Sequence, residues 1–94
     1  MNDQTREVLL IAQEECAEVT QAISKCFRFG LDNYKPGKPK TNREHLAEEI
    51  GDLLCMVELM ITNNIVSEDD VNTAKQQKFT KLQKWSKIQN LESV

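Results

Sequence analysis

Between Asp3 and Phe29 the chain carries no Gly or Pro, and Leu9, Ala12, Cys16, Val19, Ile23 and Cys26 recur at alternating three- and four-residue steps. That is the stripe of an amphipathic helix, and Gly30 is placed to end it. Residues 30–41 hold two of the three glycines, both prolines and several lysines, which predicts a loop. Thr41-x-x-Glu44 reads as a capping box opening a second helix, from about Asn42 to Thr62. Past Glu49 this helix is apolar on most sides, with Ile50, Leu53, Leu54, Met56, Val57, Leu59, Met60 and Ile61, more than a three-helix monomer covers. Asn63 and Asn64 suit its end, and Ser67-x-x-Asp70 predicts the N-cap of a third helix running to about Asn90. No stretch alternates in the β-branched manner of a strand, so the expected class is all-α, a small helical bundle.

Ninety-four residues suffice for one domain, spanning 1–94. A domain of this size buries only about 60–65% of its unfolded surface, so a second chain covering the apolar helix is expected, as a homodimer or homotetramer. Twelve Lys and Arg against fifteen Asp and Glu leave a charge of −3, which removes the bulk attraction for nucleic acid. Three cysteines, Cys16, Cys26 and Cys55, have no CxxC spacing and sit among apolar residues, the pattern of reduced thiols in a cytosolic core. The start MNDQTREV is no secretory leader, and no apolar run approaches the roughly 18 residues of a membrane helix, so a cytoplasmic protein without membrane partners is expected.

The chemistry concentrates in two carboxylate clusters, Glu14, Glu15 and Glu18 on the first helix and Glu48, Glu49 and Asp52 on the second. Residues three apart on a helix lie about 60° apart, so Glu15 with Glu18, and Glu49 with Asp52, each share one side. Glu15 falls about 40° from Val19 at the centre of the apolar stripe, and Glu49 lies beside Leu53, so these acids border the core. Solvated acidic faces produce similar runs, and position beside the stripe is what sets these apart. If the two helices pack antiparallel, the carboxylates face one another and repel unless a proton or cation intervenes. A hard divalent ion that prefers oxygen ligands, Mg²⁺ or Mn²⁺, is the physical remedy. A di-iron bundle is disfavoured, because no pair of Glu-x-x-His motifs is present.

Glu14-Glu15-Cys16-Ala17-Glu18 followed by Glu48-Glu49-Ile50-Gly51-Asp52-Leu53-Leu54 resembles the EExxE…EExxD signature of the MazG-like all-α nucleoside triphosphate pyrophosphohydrolases. The lead-in Asn42–Ala47 and the later Lys78-Phe79-Thr80-Lys81 resemble the family's too, and the likeness covers roughly residues 7–85. Two features depart from the pattern: a slightly long gap, with the excess in Asn33–Thr41, and Lys81 where arginine is usual. The resemblance implies that Glu15, Glu18, Glu49 and Asp52 ligate Mg²⁺, which grips the triphosphate of a nucleotide cleaved between its α- and β-phosphates. The products would be a nucleoside monophosphate and pyrophosphate. An extra carboxylate, Glu14 or Glu48, is implied as the base that takes a proton from the attacking water. Dimerisation, in this family, completes the nucleotide pocket.

Lys75, Lys78, Lys81, Lys84 and Lys87 follow one another at steps of three and so wind around the third helix. Only one or two can face a site; Lys78 and Lys81, within the KFTK match, are the candidate phosphate ligands. Lys35, Lys38 and Lys40 in the loop are within conceivable reach of phosphate, although a solubilising role is the ordinary one for such residues. Phe27, Phe29, Tyr34, Phe79 and Trp85 are available to stack on a base, with core or interface packing the commoner use of Phe27, Phe79 and Trp85. Two other functions compete: a non-enzymatic helical interaction module, and a hydrolase specialised for dUTP or phosphoribosyl-ATP.

Overall fold

The computed structural model describes residues 1–34 and 36–91, so Lys35 lies outside the described residues. Three helices follow in order: α1 (Asp3–Phe29), α2 (Asn42–Thr62) and α3 (Glu68–Trp85). The starts of α2 and α3 follow the caps that the sequence marks, and Asn2 caps α1. Asn2 accepts from the Thr5 amide at 2.7 Å, and Ser67 accepts from the Asp70 amide at 3.2 Å. Thr41 and Glu44 close the reciprocal capping box, each side chain taking the other's backbone N–H.

The turn between α1 and α2 is built from named bonds. Gly30 ends α1 at φ 88° and ψ 157°, a conformation that L side chains rarely adopt, and its N–H donates to the Cys26 carbonyl. The buried Asn42 side chain donates to the Gly30 carbonyl at 2.9 Å, tying the first residue of α2 to the end of α1. Its backbone N–H reaches the Asn33 carbonyl at 3.1 Å, and the Arg43 N–H reaches that of Leu31 at 2.8 Å. Arg43 also grips Asp32 through two bonds of 3.0 Å, which holds the Asp32 carboxyl below its usual range. At the far end Gln4 donates to the Asn63 side chain at 2.7 Å. The start of α1 therefore meets the end of α2, and the two helices run antiparallel along their length.

The inward seam of α1 is Val8, Ala12, Glu15, Val19, Ala22 and Cys26, a three-four repeat rotated from the predicted stripe. Val8 and Ala12 pack with Met56, and Met60 and Ile65 lean on the same cluster. Cys16, Ile23 and Cys55, expected in the core, are exposed, because the apolar surface of both helices is wider than their contact. Phe27, 88% exposed, and Leu54, 60% exposed, mark this uncovered surface.

α3 makes no more than marginal contact with α1 and α2 and buries none of its residues. The radius of gyration is accordingly 16.0 Å, whereas a compact chain of this length measures about 12 Å. The third helix also stops at Trp85, short of the expected Asn90. Ser86 turns extended, its hydroxyl and amide both bond to the Leu82 carbonyl, and the Ile88 amide donates to the same hydroxyl. This local side-chain competition ends the helix where periodicity alone allowed it to continue. Trp85 and Phe27 are thus not core residues of the single chain, whereas Phe79 is half-buried. Among the described residues no helix is long and apolar enough to cross a membrane.

The Gly30 conformation supplies a direct check. A Cβ there meets the Asn33 side chain at 3.3 Å in addition to the unfavourable backbone angles. Gly30→Ala is expected to lower the free energy of unfolding by about 1–3 kcal/mol in urea titrations; unchanged stability would contradict the strained turn.

Candidate metal centre

Antiparallel packing sets the middle of α1 against the middle of α2. Glu15 occupies a seam position between Ala12 and Val19, and Glu49 occupies the matching one between His45 and Leu53, where aliphatic side chains would ordinarily meet. Asp52 follows one turn after Glu49, at the rim. One oxygen from each of Glu15, Glu49 and Asp52 lies within 4.8 Å of the others. Glu15 and Glu49 are half-buried and Asp52 is exposed, so the group opens to solvent on one side.

The electrostatics of this arrangement fall on Glu15. Partial desolvation, followed by the charges of Asp52, Glu49, Glu18 and Glu14, pushes its carboxyl above the usual glutamate range. Three hard oxygen donors converging from two helices, one disfavoured in its ionised form, fit a divalent cation of the Mg²⁺ or Mn²⁺ type.

The other sequence-derived candidates lie around this group. Glu18 is exposed and falls outside the three-carboxylate group, although its charge is felt at Glu15. Glu14 is exposed on the flank of α1. Glu48 is exposed on α2 and ion-paired with Lys40 of the loop. Lys78 and Lys81 are exposed on α3, and no packing of that helix on α1 or α2 carries them to the carboxylates.

His45 lies outside the acidic motifs yet touches the group. Its Nε2 lies 3.2 Å from a Glu49 oxygen one helical turn on. The i,i+4 spacing was visible in the sequence, but only Glu49's inward position makes the contact matter.

The raised pKa of Glu15 fixes the sign of a pH effect. An acid whose pKa is higher in the folded state favours folding below its unfolded pKa, and loses that contribution as pH rises through the folded value. In chelator, Glu15→Gln is expected to melt above the parent at neutral pH, with the gap closing on acidification into the normal glutamate range. A gap that is constant across pH, measured by circular dichroism melting, would contradict crowding at Glu15.

The MazG nucleotide pyrophosphohydrolase domain matches residues 4–86, which takes in both carboxylate helices and α3. No curated protein and no solved structure matches the chain. With that match over most of its length, an all-helical architecture and paired acidic motifs on adjoining helices, the chain belongs to the MazG nucleotide pyrophosphohydrolase family.

Proposed function

We propose that the chain is a Mg²⁺-dependent nucleoside triphosphate pyrophosphohydrolase, releasing a nucleoside monophosphate and pyrophosphate. The observation that carries this reading is the convergence of Glu15, Glu49 and Asp52 within 4.8 Å at the seam of two helices. Glu15, Glu49 and Asp52 would hold the ion, with the exposed Glu18, one turn after Glu15 on α1, as the fourth carboxylate that the family pattern implies. When bound, the ion neutralises phosphate charge and polarises the groups it meets, Mn²⁺ serving in place of Mg²⁺.

The remaining residues have complementary tasks. His45, against Glu49, restricts the rotation of that carboxylate, so that fewer orientations must be given up when substrate arrives. Glu14 or Glu48 takes the proton from the attacking water: both are exposed next to a cluster member in the sequence, and Glu48 is paired with Lys40. Lys78 and Lys81 reach phosphate only from an α3 that a second subunit contributes, since this chain's own α3 is not packed beside its carboxylates. A homodimer or homotetramer is supported by the same geometry, because the uncovered Phe27 and Leu54 give a second copy apolar surface to bury. The domain is taken to span residues 1–94, acting on free nucleotides without nucleic acid or membrane, in the cytoplasm.

Two experiments test this reading. Purified protein with Mg²⁺ and a panel of ribo- and deoxynucleoside triphosphates, including dUTP, is expected to give monophosphate and pyrophosphate. Glu15→Gln and Asp52→Asn should each reduce kcat by at least about 100-fold while remaining folded. Mg²⁺ should raise the melting temperature of the parent and not of these variants. No turnover together with identical melting in Mg²⁺ and chelator would favour the interaction-module alternative.

For the assembly, Leu54→Asp is the cleaner probe, because Leu53 and Val57 are half-buried within the chain and would disturb the fold as well. It is expected to shift the species seen by light scattering to a folded monomer with little activity; a fully active monomer would refute the assembly.

A further inference from the structure

Beside the carboxylate group the α1–α2 loop folds back to form a cavity of about 280 Å³, lined by Lys25, Lys38, Pro39, Lys40, Asn42 and His45. One of its walls connects it to the carboxylate group and another to the neighbouring Glu48. His45 is in contact with Glu49, and Lys40 is paired with Glu48. The half-buried Lys25 comes from the seam face of α1, ten residues or about 15 Å beyond Glu15. It lines the cavity from the α1 side, facing the loop residues Lys38 and Lys40. Neither Lys25 nor Lys38 has an ion-pair partner among the described residues.

Three ammonium groups and an imidazole thus line one wall of a concave space whose other neighbour is a cluster of three carboxylates. A polyphosphate chain held at the carboxylates through a divalent ion has its remaining negative charge to place. Lys25, Lys38 and Lys40 are the nearest concentration of positive charge built by α1, α2 and their loop, whereas Lys78 and Lys81 depend on a second copy.

We infer that this cavity binds the β,γ-diphosphate end of the substrate, the part that leaves as pyrophosphate, with Lys25 and Lys38 as its principal ligands. The assignment rests on the hydrolase reading for what the anion is, and on the cavity for where it sits. Lys40 is shared with Glu48, so its pairing loosens as the anion enters. A wider cavity of about 700 Å³ shares Lys25 and Asn42 with it and adds Arg28, Phe29 and Tyr34. The charged compartment therefore lies on the carboxylate side, and the aromatic residues lie farther out.

Calorimetric titration of inorganic pyrophosphate into the full chain in Mg²⁺ tests the site directly, with Lys25→Ala, Lys38→Ala and their combination, and Lys87→Ala as a surface control. Each single variant is expected to weaken pyrophosphate binding about tenfold, the low end for a charge-assisted bond at a partly open site, with circular dichroism unchanged. In the hydrolysis assay pyrophosphate inhibition should weaken in parallel, with inhibition by nucleoside monophosphate retained. Equal pyrophosphate affinity in the parent and the double variant would overturn the assignment. So would loss of monophosphate inhibition with pyrophosphate inhibition retained, which would place the nucleoside end in the cavity. Lysine-dependent pyrophosphate binding without turnover would count against the hydrolase reading and for the cavity; turnover with lysine-independent binding would count the other way.

Discussion

Like charge at a helix seam is the constraint around which this molecule is organised. Glu15 and Glu49 stand where two packed helices would normally interlock aliphatic side chains, and Asp52 adds a third carboxylate at the rim. Such a seam repels itself, and the raised pKa of Glu15 reflects partial desolvation first and that repulsion second. The contacts on either side must hold the helices against it. Toward one end Val8, Ala12 and Met56 bury apolar surface, and toward the other Asn42 ties the helix ends together at Gly30. The carboxylates are therefore pinned between an apolar clamp and a hydrogen-bonded one, an arrangement that suits preorganisation for a cation better than it suits stability.

The loop performs two tasks with the same residues. Gly30, Asn33, Asp32 and Arg43 give α2 a single docking register on α1, which keeps Glu49 opposite Glu15. From that register the chain carries Lys38 and Lys40 back over the seam, so positive charge comes to rest beside negative charge without α3 taking part. The loop Asn33–Thr41 holds the excess over the family's usual gap. In the fold its residues are tied to both helices and form one side of two cavities.

Helix positions and types were legible because their signals are local. The Thr41 and Ser67 caps and the Gly30 stop each act within a few residues, and they stand in the structure where the sequence places them. The end of α3 was not legible, because Ser86 redirects the backbone through bonds to Leu82 and Ile88 that compete with continued helix. The rotation of the α1 stripe was missed for a different reason. Both sides of the stripe are apolar, and hydrophobicity alone cannot say which side α2 chooses, so Cys16 and Ile23 were assigned inward although they face out. At the site, helical spacing placed Glu15, Glu49 and Asp52 together. It could not place Glu18, whose angle of about 100° from Val19 leaves it at the edge, nor Lys25, whose partners come from a loop without periodicity.

The same rotation explains why α3 and the outer face of α1–α2 remain open. Once the seam admits carboxylates, α1 and α2 have only part of their width left for apolar contact, and Phe27 and Leu54 stay in solvent. α3 does not cover them, having few apolar positions among its lysines and glutamines. A chain with so small a buried core falls short of what a domain of its length normally secures from packing. On the proposed reading, the deficit and the separation of Lys78 and Lys81 from the carboxylates have one origin. The apolar surface that draws a second copy onto α2 is also what brings a neighbouring α3, with Lys78 and Lys81, within reach of the carboxylates. Assembly then completes the fold and the site in one step, because a seam given over to carboxylates cannot also serve as a sufficient core.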